Sequence, residues 1–246
     1  MPNSYAGIDG CPSGWFVVQL SKMGAWKTVL ARNPRELVSY IEQSTLTLID
    51  IPIGLLDSGG PQRDCDQQAR KVLGMPRAAS VFSAPSRPAV YASSYSRACQ
   101  LNFRRLGKKL SKQTWNIGGK IREIDELLMN NGQIRNKLRE CHPEICFWAL
   151  NNRTAMRFNK KKKAGREERL AVLAGYLAEA QKLLDYAAEK YKRKDLSLDD
   201  IVDAMAIAVT ALLGHKALST FPARAERDRC GLTMEICYFE LQENKQ

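Results

Sequence analysis

Leu46-Thr47-Leu48-Ile49-Asp50-Ile51 is an apolar run with one carboxylate inside it, closed by Pro52. Continuous β-rich character over residues 45–51 predicts a strand buried on both faces, and the proline marks its end. A carboxylate in a central strand is costly unless a metal, a cation or hydrogen bonds compensate it. Asp50 is therefore either a site residue or a strand-end acid that accepts the backbone donors of the Pro52-Ile53-Gly54 turn.

Upstream of this run, residues 5–8 and 14–20 read as two strands broken by the turn Gly10-Cys11-Pro12-Ser13, and residues 26–31 as a third. Pro34 opens a helix to about Gln43, with Leu37, Val38 and Ile41 inward. Downstream the pattern weakens from residue 56 to about 139, with helices expected over 97–110 and 121–129. A short strand is expected over 137–141, a helix starting at Pro143, a basic stretch over 153–169 and a long helix over 167–192. Ser197 caps a very apolar helix over 199–213, and residues 236–239 read as a last strand.

Asp50 is one of four acids, with Asp9, Asp200 and Asp203, that lie where solubility alone would not put them. Asp9 follows the first apolar strand and precedes a glycine, either as a site residue or as an Asx-turn residue. Asp200 and Asp203 share a face of the last helix. Asp200 sits three residues after Ser197, a capping-box position, and Asp199 complements the helix dipole. Capping does not explain Asp203, which the apolar Ala204-Met-Ala-Ile-Ala-Val209 follows without a cation. Glu144, in Cys141-His142-Pro143-Glu144, is either catalytic or an ordinary acid at a helix start. His142 and His215, the two histidines, read as a structural cap and a C-terminal cap.

The totals bound the function classes. The 246 residues, 44% hydrophobic, suit one large α/β domain or one with a sizeable insertion. Seven cysteines, at 11, 65, 99, 141, 146, 230 and 237, show no C-x-x-C spacing, which fits buried thiols in a reducing cytosol better than disulfides or zinc. The opening residues carry no signal-peptide pattern, and the longest apolar stretch, 204–214, is too short to cross a bilayer. A cytoplasmic protein without membrane contact is expected. The net charge is +12, and residues 67–122 hold twelve Lys or Arg and no Asp or Glu. A one-sign field of that length points to a polyanion, or to a basic surface that aids solubility or meets an acidic partner.

Carboxylates on two strand ends and a helix suit phosphodiester hydrolysis, which needs an activated water and neutralised charge on the attacking and leaving oxygens. Two divalent ions about 4 Å apart supply both, and hard oxygen ligands suit Mg²⁺ or Mn²⁺.

The order of elements and acids resembles the ribonuclease H-like fold, and the i, i+3 acids of the last helix are similar to those of the Holliday junction resolvase branch. Several segments together resemble the family called DUF429, described as predicted RNase H-like nucleases. They are Gly7-Ile-Asp-Gly-Cys-Pro-Ser-Gly-Trp15, Asp50-Ile-Pro-Ile-Gly54, Arg63-Asp-Cys-Asp-Gln-Gln-Ala-Arg70, Ser80-Val-Phe-Ser-Ala-Pro85, His142-Pro-Glu144 and Asp199-Asp-Ile-Val-Asp-Ala204. The resemblance implies a single ribonuclease H-like domain over 1–246. Its core would be a mixed five-stranded sheet flanked by helices, with a large basic insertion, about 57–136, after the fourth strand. It implies Asp9, Asp50, Asp203 and Asp200 as metal-binding acids, acting on DNA or RNA; Glu144, which belongs to the family motif but has no obvious counterpart in the resolvases, joins Asp9, Asp50 and Asp203 in the expected catalytic set. The resolvase branch acts as dimers, which leaves a homodimer open.

In the same light Arg63, Arg70, Arg77 and Arg87 would cover the site and bind phosphate, or else form salt bridges with Asp64 and Asp66. The run Lys160-Lys-Lys-Lys163, with Lys162, Lys163 and the nearby Arg169, would touch phosphate from a loop or be a solvated charge run. Tyr95, Phe103 and Trp115 interleave with the basic segment and would stack on bases or pack inside. Two other functions fit part of the pattern. One is an actin-like ATP-dependent phosphotransferase, for which Asp50-Ile-Pro-Ile-Gly54 is a poor second phosphate loop. The other is a non-catalytic nucleic-acid-binding protein.

Overall fold

A computed structural model describes residues 4–60 and 62–240. The first three strands are β1 (Ser4–Cys11), β2 (Gly14–Ser21) and β3 (Trp26–Ala31), each antiparallel to the one before. The Pro34–Glu36 turn, capped by Asn33, leads into α1 (Leu37–Gln43), which returns the chain to β4 (Ser44–Ile49), parallel to β1. Between β4 and the next sheet strand come α2 (Asp64–Leu73), the short α3 (Arg87–Val90), α4 (Tyr95–Leu106) and α5 (Lys112–Asn130). Then β5 (Leu138–Glu140) pairs parallel to β4 and closes a five-stranded mixed sheet of order β3-β2-β1-β4-β5. The chain continues through α6 (Pro143–Leu150), α7 (Lys163–Ala174), α8 (Ala180–Lys190) and α9 (Leu198–Gly214). It ends in a hairpin of β6 (Ser219–Arg227) and β7 (Thr233–Tyr238), with a single bridge from Cys237 to Cys141 beyond β5. The fold is α/β, as the element order predicts.

The period-2 alternation of strands sorts side chains onto two faces. Ala6 and Ile8 of β1, Trp15 and Val17 of β2 and Ile49 of β4 enter one core with α1 and α5. Tyr5, Phe16, Val18, Leu20 and Leu48 enter the other, which α9 dominates. From Ile201 to Ala211 every residue of α9 is buried, because the helix lies between the sheet and α6, α7 and α8. A helix apolar on all sides needs such a place.

Gly7 sets how closely α9 approaches. A Cβ there would stand 2.3 Å from the Ala208 nitrogen and 2.4 Å from the Ala204 oxygen. Helix backbone therefore rests on strand backbone, and the small Ala204 and Ala208 leave room for it.

Several element boundaries differ from expectation. The region 167–192 is two helices, because after Gly175 the chain turns so that Leu177 can enter the α9 core. The expected break before residue 121 does not occur: α5 runs through Gly118-Gly119, capped by Ser111 and held by Ile121 and Ile124. Strand β6 was not anticipated, since its Ser, Pro, Arg and Glu residues give little apolar alternation and its register slips between Phe221 and Glu226.

Gly7→Ala is expected to destabilise the fold by about 3 kcal/mol, the upper range for overpacking, because neither backbone can yield locally. Urea unfolding of wild type and variant checks this.

Candidate functional site

Asp9 and Asp50 are brought level by the sheet. Asp9 sits in β1 opposite Phe16 of β2. Asp50 follows the last residue of β4, and its backbone N–H donates to the Ile8 carbonyl at 3.0 Å, extending the parallel ladder. By alternation Asp9 shares the face of Tyr5 and Gly7, and Asp50 that of Leu48, so both side chains lie on the α9 side. The segment after Asp50 is pinned: the Ile53 N–H donates to Glu140 Oε2 at 2.6 Å, and Arg63 donates to the Ile53 and Gly54 carbonyls. Gly54 takes a left-handed φ of 75°, in a turn where an added Cβ would also meet Met234 at 2.6 Å.

Helix α9 supplies the third acid. Ser197 and Asp200 form a reciprocal capping box, so Asp200 is engaged in starting the helix. One turn further, Asp203 is 1% exposed. Its Oδ2 accepts a 2.5 Å hydrogen bond from Lys160 Nζ, while its Oδ1 is enclosed with no partner among the described residues.

The three carboxylates crowd one another. Burial lifts the Asp9 carboxyl well above its ordinary range, and repulsion from Asp50, Asp203 and Asp200 lifts it further, against the pull of Lys160. Asp50 is raised by burial and by Glu144, with His142 and Lys160 opposing. Asp203 is pushed up to about 6 by burial, even with Lys160 alongside. Lys160 is held charged chiefly by Asp203, then by Asp9 and Asp50. Its ammonium is the cation that this cluster meets. Among the described residues, no group of three or more His, Cys, Asp or Glu side chains stands arranged to hold a metal ion.

Lys160 is the residue of this cluster that the sequence did not single out. It opens a run of four lysines, and nothing in the run distinguishes it from Lys162 and Lys163, which are exposed; Lys163 faces Glu167 at the surface. The signal lies five residues on. A Cβ at Gly165 would meet the Asn159 oxygen at 2.0 Å and the Lys160 nitrogen at 3.0 Å, so the loop carrying Lys160 crosses directly over the start of α7. Arg169, one turn into α7 and fully buried, donates to the Phe158 and Gly165 carbonyls and forms a short ion pair with Glu144. Glu144 Oε2 is enclosed without a partner among the described residues. His142 caps α6, accepting from the Glu144 N–H.

The other arginines expected at phosphate are placed elsewhere. Arg63 is 2% exposed and spends its donors on Asp66, Glu140 and the two carbonyls above, not on Asp64. Arg70 donates to the Val81 carbonyl, Gln62 and Ser83. Arg87 joins Asp125 and Asp228. Arg77 is half-buried, with its Nε enclosed and unpartnered among the described residues. The guanidiniums of Arg63, Arg70 and Arg87 tie loops to the core, since a buried charge must find partners. The exposed cations of the basic segment are Lys71, Arg97, Arg104, Arg105, Lys108, Lys109, Lys112 and Arg122, the last paired with Glu126. Tyr95 and Trp115 pack on each other, while Phe103 is 55% exposed.

A family model described as "Protein of unknown function (DUF429)" matches residues 7–227. No match to a curated protein or to a solved structure was found.

A carboxyl whose folded pKa is raised costs stability once it ionises, so its contribution is favourable at low pH and is lost as pH rises through the folded pKa. Asp9→Asn removes that cost. In chelator at pH 8 the variant is expected to be more stable than wild type, since the buried carboxyl no longer has to ionise. The advantage should shrink at pH 5, because the raised pKa brings residue 9 of wild type toward the uncharged form that the variant always has. Thermal unfolding at the two pH values checks both the sign and the trend.

Proposed function

We propose that this chain, which belongs to the DUF429 family, is a metal-dependent hydrolase of phosphodiester bonds in nucleic acid, built on a ribonuclease H-like core. The observation that carries the proposal is the convergence of Asp9, Asp50 and Asp203 from two adjacent parallel strands and one buried helix. The strand order β3-β2-β1-β4-β5, with β2 alone antiparallel to both neighbours, supports the ribonuclease H-like assignment. So does the position of both strand acids toward the carboxyl ends of parallel strands, where α/β sheets place their ligands.

The donor set suits a hard divalent cation such as Mg²⁺ or Mn²⁺, being carboxylate oxygen throughout. The enclosed and unpartnered Asp203 Oδ1 marks an acceptor that the protein itself leaves unsatisfied. Asp9, Asp50 and Asp203, which do not stand arranged to hold a metal ion, would have to close around it, with Asp200 nearby but engaged in its capping box. When bound, it would lower the pKa of water and neutralise charge on the phosphoryl oxygens. The remaining groups are the chain's own. Lys160 places a fixed positive charge beside the three acids. Glu144 acts through Arg169, orienting the loop that presents Lys160. In hydrolysis a water oxygen bonds to phosphorus, the bond to the leaving oxygen breaks, and that oxygen takes up a proton.

Polyanion binding is assigned to the exposed cations around α4 and the start of α5, with Phe103 among them as a stacking surface. Helix α5 leads from that patch along the sheet face opposite the acid side chains. Lys112 lies in its first turn, and Lys120, about 12 Å along the axis, reaches the other end of the path. There its Nζ donates to the Gly14 carbonyl at 2.6 Å and its side chain lies against Gly10, next to Asp9.

Titration of Mn²⁺ into wild type and Asp50→Asn, followed by incubation with labelled single-stranded, duplex and branched DNA and RNA, tests the activity. Binding and cleavage by wild type, both lost in the variant, are expected; wild type that binds no Mn²⁺ in the presence of nucleic acid would overturn the proposal. Lys108→Glu/Lys109→Glu is expected to weaken nucleic-acid binding at every sequence and to reduce the slope of log K against log salt by about 2. A salt series of binding curves reads that slope.

A further inference from the structure

A cavity of about 360 Å³ opens at the β5 edge of the sheet, between β5 and the β6–β7 hairpin. It exists because a strand pairing stops short. The bridge between Cys141 and Cys237 is parallel, and its register, carried back by two residues, would set Arg139 opposite Glu235. Among the described residues no backbone pairing is made there. The side chains span the gap instead, with Arg139 Nε and Nη2 donating to the two Glu235 oxygens at 2.7 and 2.8 Å.

Alternation turns main-chain groups toward this gap. The Lys137 carbonyl accepts from the Thr47 N–H and the Cys141 N–H donates to the Ile49 carbonyl, so residues 137, 139 and 141 direct their peptide groups to β4. Leu138 and Glu140 therefore direct theirs to the other side. The Leu138 N–H is taken locally by the Ile134 carbonyl, whereas the Glu140 N–H faces the opening.

Two guanidiniums complete the lining, one from each wall. Arg135, half-buried in the turn before β5, donates to the Leu128 and Met129 carbonyls at 2.6 and 3.0 Å, which holds it against the end of α5. Arg227, at the end of β6, donates to the Gly231 carbonyl at 2.6 Å. The turn beneath it is tied down by the buried Asp228, which accepts the Cys230 and Leu232 N–H groups. Carbonyl partners orient a guanidinium without cancelling its charge, and among the described residues neither arginine meets a carboxylate. The acids of the lining are already engaged, Glu235 by Arg139 and Glu140 by Arg63 and the Ile53 N–H.

We propose that this cavity binds a small molecule bearing a phosphate ester, with the phosphate between Arg135 and Arg227. Guanidinium forks match phosphate oxygens in pairs. Donors from both walls and from the Glu140 amide suit a tetrahedral anion better than a planar carboxylate, whose two oxygens a single fork satisfies. The volume lies at the lower end of the range for small-molecule sites, about 300–1,000 Å³, so room remains for the alcohol part, beside Asn136 and Thr233. A nucleic-acid strand could not run through, since the wedge closes where Cys141 meets Cys237. None of Asp9, Asp50, Asp203 and Lys160 lines the cavity, so the site stands apart from the hydrolase reading.

Calorimetric titration with AMP, inorganic phosphate and succinate tests the site, in chelator so that no metal bridges a phosphate to the acid cluster. Wild type is expected to bind AMP more tightly than phosphate, and succinate most weakly. Arg135→Gln and Arg227→Gln are each expected to weaken AMP binding about tenfold, the worth of one charged hydrogen bond. Arg224→Gln, exposed on the same strand as Arg227, is expected to leave it unchanged. In amide NMR spectra the Glu140 N–H is expected to shift as AMP is added. Wild type that binds none of the three probes would overturn the proposal, as would succinate bound as tightly as AMP. Equal AMP affinity in wild type and Arg227→Gln would do the same, and that variant leaves the end of α5 untouched, so it decides even if Arg135→Gln fails to fold.

Discussion

Direct contact between the backbone of α9 and that of β1 at Gly7 is the constraint on which the rest of the molecule depends. The strand acids lie on the α9 side of the sheet whatever the helix does, but Asp203 reaches them only because no side chain separates helix from strand at this point. The helix must then be apolar on every other side, since it is covered by α6, α7 and α8. Its one interior carboxylate is therefore carried into the driest part of the protein. The high proton affinity of Asp203 and the need for Lys160 both follow from that burial.

Around this seam the protein handles its buried ions in two ways. The Arg63–Asp66–Glu140 and Arg87–Asp125–Asp228 groups are close to self-sufficient, with each carboxylate meeting a guanidinium or a backbone donor, and they bind loops to the sheet. The Asp9–Asp50–Asp203 group is acid-rich and incompletely bonded. Structural ion pairs tend toward satisfaction, whereas the proposed site keeps an unsatisfied and mutually repelling set. The contrast separates the two kinds of carboxylate within one core.

Legibility in the sequence followed periodicity. The first four strands and α1 could be read because alternation, Pro34 and the closing Pro52 are strong local signals, and α9 because Ser197 caps an unbroken apolar stretch. Asp50 and Asp203 were visible as charges in apolar surroundings. What could not be read was pairing at a distance. Apart from Asp66, the partners of Arg63 and Arg87 lie far along the chain, at Glu140 for one and at Asp125 and Asp228 for the other, and no spacing rule connects them. The lysine run hid Lys160 for a related reason: four identical residues differ only in what lies beneath each, and that is set by Gly165 and Arg169 after folding. The break at Gly175 was concealed because the apolar periodicity continues through it.

The seam at Gly7 also has a temporal side. Gly7 and Ala204 are about 200 residues apart in the chain, and loop closure over such a span is slow relative to local pairing. During synthesis at about 5–20 residues per second, β1 to β4 are complete long before α9 is made. Over that interval Tyr5, Phe16, Val18, Leu20 and Leu48 form an uncovered apolar surface. In the finished fold these side chains take their cover from α9, so the core on that face closes only once residues 198–214 have been made.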